Sequence, residues 1–447
     1  MAAEAVVAVV AAVAAVVAAA VAAAEAVVVA VASFETKLGL GYRSELALFV
    51  ERRQDLGFVE ILAEDFPKPS HIPAALKRLC RQGLTVIPHS TTLSLGSVQP
   101  PTAALLKHLD ALARYFDAPF VSDHIAFVRG GGLETGHLLP VQRNHKMLTL
   151  LKRNIEHARN GLSVPLVLEN IATTFDWSER QNTMTEPEFL RQVLESTDSG
   201  LLLDVSNLFA NSFNHHFSED DYLRALPLDR LRYVHVAGGT FKQGLYHDTH
   251  CHPLKEESLR VLKKLAALVP IPMVMLERDD NFASDIELSL ELDQLRQSCK
   301  VPASFAAADA RQIEVDLEPI ASAKPDLSTL AQEQDALVRA LLADCSHLPS
   351  ALAGLDQERV GQTFKALRRK RIRTIKRAYP DILTIFPDEE KLNQLLDRYF
   401  DNCPSVSELG PYDDAMKFMK YLKKSGELPS PKLAGALSQA LKSFLSK

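Results

Sequence analysis

Leu201-Leu202-Leu203-Asp204-Val205-Ser206-Asn207-Leu208 sets three leucines directly before an aspartate, with an asparagine three positions further on. A short apolar run that stops at a carboxylate reads as a strand buried on both faces, its polar end emerging at a loop. The figure recurs along the chain. Apolar runs at 38–42, 58–63, 84–88, 120–123, 166–168, 201–203, 231–234 and 273–276 each stop at a polar or acidic residue. Between them, residues 72–82, 102–116, 143–160 and 186–196 carry apolar side chains at the i, i+3, i+4 spacing of amphipathic helices. Apolar strands alternating with helices belong to a parallel sheet covered on its faces. Eight such units over residues 37–299 match the roughly 250 residues of a (β/α)8 TIM barrel. The fold class is therefore α/β, a TIM barrel followed by a smaller all-α domain. A doubly wound sheet is the competing architecture, but Gly39 and Gly41 lack the third glycine of its phosphate-binding turn.

The rest of the chain falls into place around the barrel. The 447 residues carry a net charge of -6, with 47% apolar and 24% charged side chains, which excludes a disordered or disulfide-stapled protein. Cys80, Cys251, Cys299, Cys345 and Cys403 are scattered with no CxxC pair, as expected of free thiols in a reducing, cytoplasmic setting. Mild acidity argues against a dedicated nucleic-acid binder. Residues 1–36 form a low-complexity leader in which 5–24 are only alanine and valine. That run could span a bilayer by length, yet alanine inserts weakly and no Lys or Arg precedes it, so a membrane or targeting role and a structural helix stay alternatives to a functionless tail. Residues 300–327, rich in Ala, Pro and Asp, read as a linker, and 328–447 as a helical domain.

The strand ends carry the chemistry. His89, His124, Glu169, Asp204, His235 and Glu277 close six consecutive strands, and the loop after the seventh adds Asp248 and His250. In a TIM barrel these ends share one rim. Carboxylates converging there repel one another unless cations sit among them. Imidazoles with carboxylates and amides suit Fe, Mn or Zn, and the lack of clustered thiolates speaks against a structural zinc or iron–sulfur site. With Asn207 the candidates number nine, too many for one ion. Taken singly, His124 could be a satisfied core histidine and Asp204 a helix cap. His215-His216 reads as surface, Glu64 and Asp65 as pocket wall or helix cap, and Cys251 as a packing residue. No GxSxG elbow, P-loop or kinase motif occurs.

Gly39-Leu40-Gly41-Tyr42-Arg43, Pro88-His89 before Leu93-Ser94-Leu95-Gly96-Ser97, Val121-Ser122-Asp123-His124, Leu138-Leu139-Pro140, Leu168-Glu169-Asn170, Met184-Thr185-Glu186, Leu202 to Leu208, Val234-His235-Val236-Ala237-Gly238, Asp248-Thr249-His250 and Leu276-Glu277-Arg278-Asp279 together resemble the multinuclear non-heme iron oxidases of the MbnB/TglH type. The resemblance covers about 37–298 in order. It implies a barrel that holds two or three Fe ions and uses O2 to oxidise cysteine residues of a peptide substrate. Carried over by position, one iron takes Glu169, Asp204, His235 and Glu277, which also carry the catalytic role. A second takes His89 and His124 and shares Glu169; a third takes Asn207, Asp248 and His250. Ser206 and Asp65 depart from the family's usual Asn, outside these ligand positions.

A fainter likeness links the helical domain to the small partner proteins of that family. It rests on residues 378–382, Leu392 to Phe400, Pro404-Ser405, Tyr412-Asp413-Asp414, Phe418 and Tyr421-Leu422. It implies a fused partner that docks on the barrel. Eight Lys and Arg residues between 365 and 377, opposite Phe364, Leu367, Ile372, Ile375 and Tyr379, form a solvated basic face or a docking face for an acidic peptide or the barrel; nucleic acid is the least favoured partner. The rival readings are a zinc- or manganese-dependent isomerase or endonuclease-like hydrolase, and a non-enzymatic metal-handling or adaptor protein.

Overall fold

A computed structural model describes residues 35–67, 71–300, 326–343, 347–379, 382–405 and 411–427. The Ala/Val run, most of the linker (301–325) and residues 428–447 lie outside them. Strands β1 (Lys37–Gly41), β2 (Phe58–Leu62), β3 (Thr85–His89) and β4 (Val121–His124) are followed by a hairpin of β5 (Ala126–Gly130) and β6 (Leu133–Pro140). Then come β7 (Leu166–Glu169), β8 (Gly200–Asp204) and β9 (Leu231–Ala237), a second hairpin of β10 (Gly239–Lys242) and β11 (Leu245–Asp248), and β12 (Met273–Glu277). The eight strands outside the hairpins close a barrel in the order β1-β12-β9-β8-β7-β4-β3-β2, every pair parallel.

Helices α1 (Ala47–Arg52), α2 (Ala74–Arg81), α3 (Ala103–Phe116), α4 (His145–Asn160), α5 (Glu186–Thr197), α6 (Val205–His215), α7 (Glu219–Ala225), α8 (Glu256–Ala266) and α9 (Asp285–Ser298) cover the outside. Their starts follow local chemistry. Thr102, Asn144 and Ser284 accept first-turn amides, and Thr185 with Glu188 forms a reciprocal capping box. The expected helices over 72–82 and 102–116 begin one or two residues late because Pro73 and Thr102 are caps.

Strand alternation decides what lines the barrel. Phe58, Ile87, Phe120, Val167, Leu202, Tyr233 and Met275 form an apolar cluster separate from the main core. Their strand neighbours Val59, Val86, Val121, Leu168, Leu203, Val234 and Leu276 belong instead to the core beneath the helices. Side chains two apart on a strand share a face. The residue two positions after each interior apolar one therefore also points inward: Glu60, His89, Ser122, Glu169, Asp204, His235 and Glu277. The interior is an apolar plug below a polar layer. At Gly39 an added Cβ would lie 2.3 Å from the Phe58 ring, so glycine is what lets β1 approach the plug.

The remainder is all-α: α10 (Ser328–Leu342), α11 (Gln357–Ala378), α12 (Ile382–Ile385), α13 (Glu389–Asn402) and α14 (Pro411–Ser425). Helix α10 lies on the first hairpin. Gln334 accepts from the Val98 amide at 3.0 Å and donates to the Gly96 carbonyl at 2.7 Å. Helices α11 to α14 share their own core of Ile375, Leu396, Tyr399, Phe400 and Phe418. Among the described residues no helix is long and apolar enough to cross a membrane.

Candidate metal centre

The six inward-pointing strand-end groups predicted from sequence meet in one polar layer. His89 Nε2 and His124 Nε2 lie 3.5 and 3.1 Å from Glu169 Oε2. The other Glu169 oxygen is 3.2 Å from His235 Nδ1, which also lies 3.1 Å from Glu277 Oε2. Glu277 Oε1 is 3.3 Å from His250 Nδ1, and His250 Nε2 contacts Asp248 and lies 4.0 Å from Asp204 Oδ2. Four sets of three bring their ligand atoms within 4.8 Å of one another: His89/His124/Glu169, Glu169/Asp204/His235, Asp204/His250/Glu277 and Glu60/His235/Glu277. Glu169, Asp204, His235 and Glu277 each belong to two sets, an arrangement in which one carboxylate could serve two cations.

Asn207 stands on the first turn of α6. Its amide donates to the Asn170 carbonyl at 3.0 Å, and its backbone N–H donates to Asp204 Oδ1 at 2.9 Å. Asp204 is thus also an N-cap, receiving the Ser206 and Asn207 amides on one oxygen. That cap orients the carboxylate without consuming it: Asp204 Oδ2 and Asp248 Oδ1 are buried with no hydrogen bond. Buried carboxylate oxygens that lack a hydrogen bond and face imidazoles fit a cation, which would offset their desolvation.

The titration shifts have the same cause. Burial alone would depress His124, but the Glu169 carboxylate, helped by Asp123, raises it to about 10. Burial is likewise overcome at His235 by Glu60, Glu169 and Glu277, and at His250 by Asp248 and Glu277; both rise well above the usual imidazole range. Glu277 falls well below its ordinary value because His250 and His235 outweigh burial. Asp204 moves the other way, pushed up by burial and by Asp248. Charges of both signs are forced so close that each is set by its neighbours.

Beneath this layer runs a chain of hydrogen bonds that the sequence reading did not assign. His89 Nδ1 meets Ser122 Oγ at 2.8 Å, Ser122 Oγ meets the Tyr233 hydroxyl at 2.6 Å, and that hydroxyl donates to Glu60 Oε2 at 2.8 Å. The same Glu60 oxygen lies 2.8 Å from His235 Nε2. Glu60 accepts the Nε2 proton of His235, which leaves Nδ1, facing Glu169 and Glu277, as the ring atom that would give up its proton to a cation. The signal for Glu60 is in the sequence: Phe58-Val59-Glu60-Ile61 puts a carboxylate at an interior position of an otherwise apolar strand.

The peripheral candidates resolve individually. Glu64 fastens the loop after β3, accepting from Ser90, the Thr91 amide and Thr92. His215 pairs with Thr173 at 2.9 Å, and His216 ends α6 in the left-handed region, exposed. Cys251 lies 3.7 Å from His252 Nδ1 and joins no ligand set among the described residues. At the rim, buried Arg43 bonds Asp279 and lies 3.9 Å from Glu277.

The family described as RiPP precursor modification enzyme MbnB/TglH/ChrH matches residues 37–300, and a second description, SCO6045-like C-terminal domain, matches 331–424. A UPF0276 protein of Streptomyces avermitilis is 33% identical over 434 residues, covering 87% of this chain and 88% of that protein. A UPF0276 protein of Caulobacter vibrioides is 30% identical over 260 residues, 58% of this chain and 92% of that one. Among solved structures, an L-ribulose 3-epimerase is similar at 16% identity and a TM-score of 0.39, covering 59% of this chain and 96% of its own. Through a match that spans its whole barrel, the chain belongs to the MbnB/TglH/ChrH family of RiPP precursor modification enzymes.

Proposed function

We propose that the protein is a multinuclear iron-dependent oxidase that uses dioxygen to modify cysteine residues of a peptide substrate. The observation that carries this reading is the sharing of Glu169 between the His89/His124 set and the Asp204/His235 set. In the assignment we favour, His89, His124 and Glu169 hold one ion; Glu169, Asp204, His235 and Glu277 hold a second; Asp248 and His250, with Asn207, hold a third. Bound iron would supply the one-electron chemistry with dioxygen that no side chain performs.

The protein's own contribution is positional and electrostatic. Glu60 and Ser122 orient the His235 and His89 rings from below. The apolar plug of Phe58, Ile87, Leu202 and Met275 closes the barrel beneath the layer, so substrate and oxygen reach it from the mouth. Arg43 spans Glu277 and Asp279 and places a fixed positive charge at the rim, where a substrate thiolate or carboxylate would arrive. In this proposal the helical domain is the built-in counterpart of the family's separate partner protein.

The test is oxygen consumption by the anaerobically purified, iron-loaded chain on addition of a cysteine-containing peptide. The proposal expects uptake that requires the cysteine and is absent with its serine counterpart. Turnover that continues without oxygen, or active protein that contains zinc alone, would replace it with a hydrolase or isomerase. A biological output that survives Glu169→Ala would point to an adaptor.

A further inference from the structure

The eight cations between Lys365 and Arg377 are not equivalent once folded. Arg368 pairs with Asp397 and Asp401, Arg371 with Asp414, and Lys376 with Glu389, all within the helical domain. Lys365, Arg369, Lys370, Arg373 and Arg377 are exposed, and none forms an ion pair among the described residues. At 3.6 residues per turn, positions 365, 369, 373 and 377 stack along one face of α11, with 370 beside them. The structure thus sorts the cations into an inner paired set and an outer unpaired stripe.

That stripe is turned toward the mouth of the barrel. Lys370 Nζ donates to the Gly136 carbonyl of the β5–β6 hairpin at 3.5 Å and feels the Asp279 carboxylate that follows β12. Arg369 lies within electrostatic reach of His247 in the β10–β11 hairpin, and Arg377 within reach of Asp65 in the loop after β2. Nearer the start of the helix, Arg359 donates to the Thr174 and Asn214 carbonyls, and Thr363 meets Thr174 at 2.7 Å, behind β7 and β8. Apart from Asn214, near the end of α6, these partners lie in segments that directly follow the C-terminal ends of barrel strands. A face that was merely solvated would have no reason to lie there.

Resting on the proposed peptide substrate, we infer that the outer stripe of α11 (Lys365, Arg369, Lys370, Arg373 and Arg377) is the docking strip for an acidic segment of that peptide, holding it across the barrel mouth. The strip spans about 18 Å at ~1.5 Å rise per residue, and its i, i+4 step of ~6 Å is close to the ~6.6 Å between same-face side chains of an extended chain. An extended acidic segment of about six residues matches the length of the strip. A phosphate backbone would run on into Asp65 and Asp279 at the strip's edges, in a chain whose net charge is already -6. Exposed cations of this kind act on encounter and register, so their effect is steeply salt-dependent.

The test uses the full-length protein and a fluorescein-labelled hexaglutamate peptide, with hexaglutamine as its neutral counterpart, read by fluorescence anisotropy at low salt. The expected result is at least about tenfold tighter binding of hexaglutamate. Arg369→Glu/Arg373→Glu/Arg377→Glu removes that preference, and Arg369→Gln/Arg373→Gln/Arg377→Gln reduces it. The same charge change on α14, Lys420→Glu/Lys423→Glu/Lys424→Glu, leaves it within about threefold. Metal content measured on each variant keeps this test separate from the oxidase reading, because the strip touches none of the ligand sets. The inference is overturned if hexaglutamate binds no better than hexaglutamine, if the α14 control weakens binding as much as the strip variant, or if duplex DNA displaces hexaglutamate at lower concentration than unlabelled hexaglutamate does.

Discussion

Replacing Glu60 with glutamine separates the metal layer from the groups that aim it. The carboxylate accepts from the Tyr233 hydroxyl at 2.8 Å and holds His235 Nε2 at the same distance, with 1% of the residue exposed. Glutamine preserves volume and one acceptor oxygen but removes the charge that fixes the His235 proton on Nε2. Tyr233 can turn its hydroxyl to Ser122, 2.6 Å away, so the structural cost of Glu60→Gln is about 1 kcal/mol. The cost to metal binding is larger. Losing an outer partner of a ligating histidine typically lowers affinity about 10–100-fold, or roughly 1.4–2.7 kcal/mol. Glu60→Ala also leaves the buried His235 Nε2–H without an acceptor, at about 1–3 kcal/mol, and lowers stability as well. The assay is anaerobic competition with a chelator of known affinity, paired with thermal unfolding of the metal-free protein. A Glu60→Gln variant that keeps wild-type metal affinity within about twofold, at unchanged stability, would refute the claim that Glu60 aims His235.

Four further outcomes follow from the same geometry. Gly39→Ala places a methyl group 2.3 Å from the Phe58 ring and lowers unfolding stability by about 1–3 kcal/mol, measured by denaturant titration. Arg371→Ala strands the buried Asp414 carboxylate, which Arg371 Nε and Nη2 each meet at 2.8 Å. It costs the helical domain about 3–5 kcal/mol and is seen as an earlier melting step with metal content retained. Burial pushes the Cys299 thiol up to about 12, so almost none is thiolate at pH 8, and iodoacetamide on the folded protein labels Cys251 well before Cys299. Glu169→Gln weakens the two ligand sets that share this residue, so metal content falls by more than it does in Asp248→Asn, which belongs to none of the four.

The barrel was legible because near-continuous apolar strands with polar ends admit few other arrangements, and the residues at those ends were the ones that converge. Glu60 was harder to see, since it sits mid-strand, where strand ends are not sought; only the period-two pairing with Phe58 marks it. Ser122 and Tyr233 were hidden for the same reason. The two hairpins were missed because tight turns at Gly130-Gly131-Gly132 and Gln243-Gly244 join short strands with little apolar pattern of their own. Asp248 therefore came into view as a loop residue, although it ends β11. The basic run near 370 was conspicuous, yet its division into an inner and an outer set depends on Asp397, Asp401, Asp414 and Glu389, which lie up to 43 positions away along the chain.

The central claim is a centre of several ions built on a shared Glu169. It is tested most directly by quantifying metal in the full-length chain purified without oxygen, with Mössbauer spectroscopy of the 57Fe-enriched protein. The account predicts about two to three iron ions per chain and signals of coupled iron, since the ligand sets share carboxylates. One ion or fewer per chain in active protein, or iron that is magnetically isolated, would contradict it.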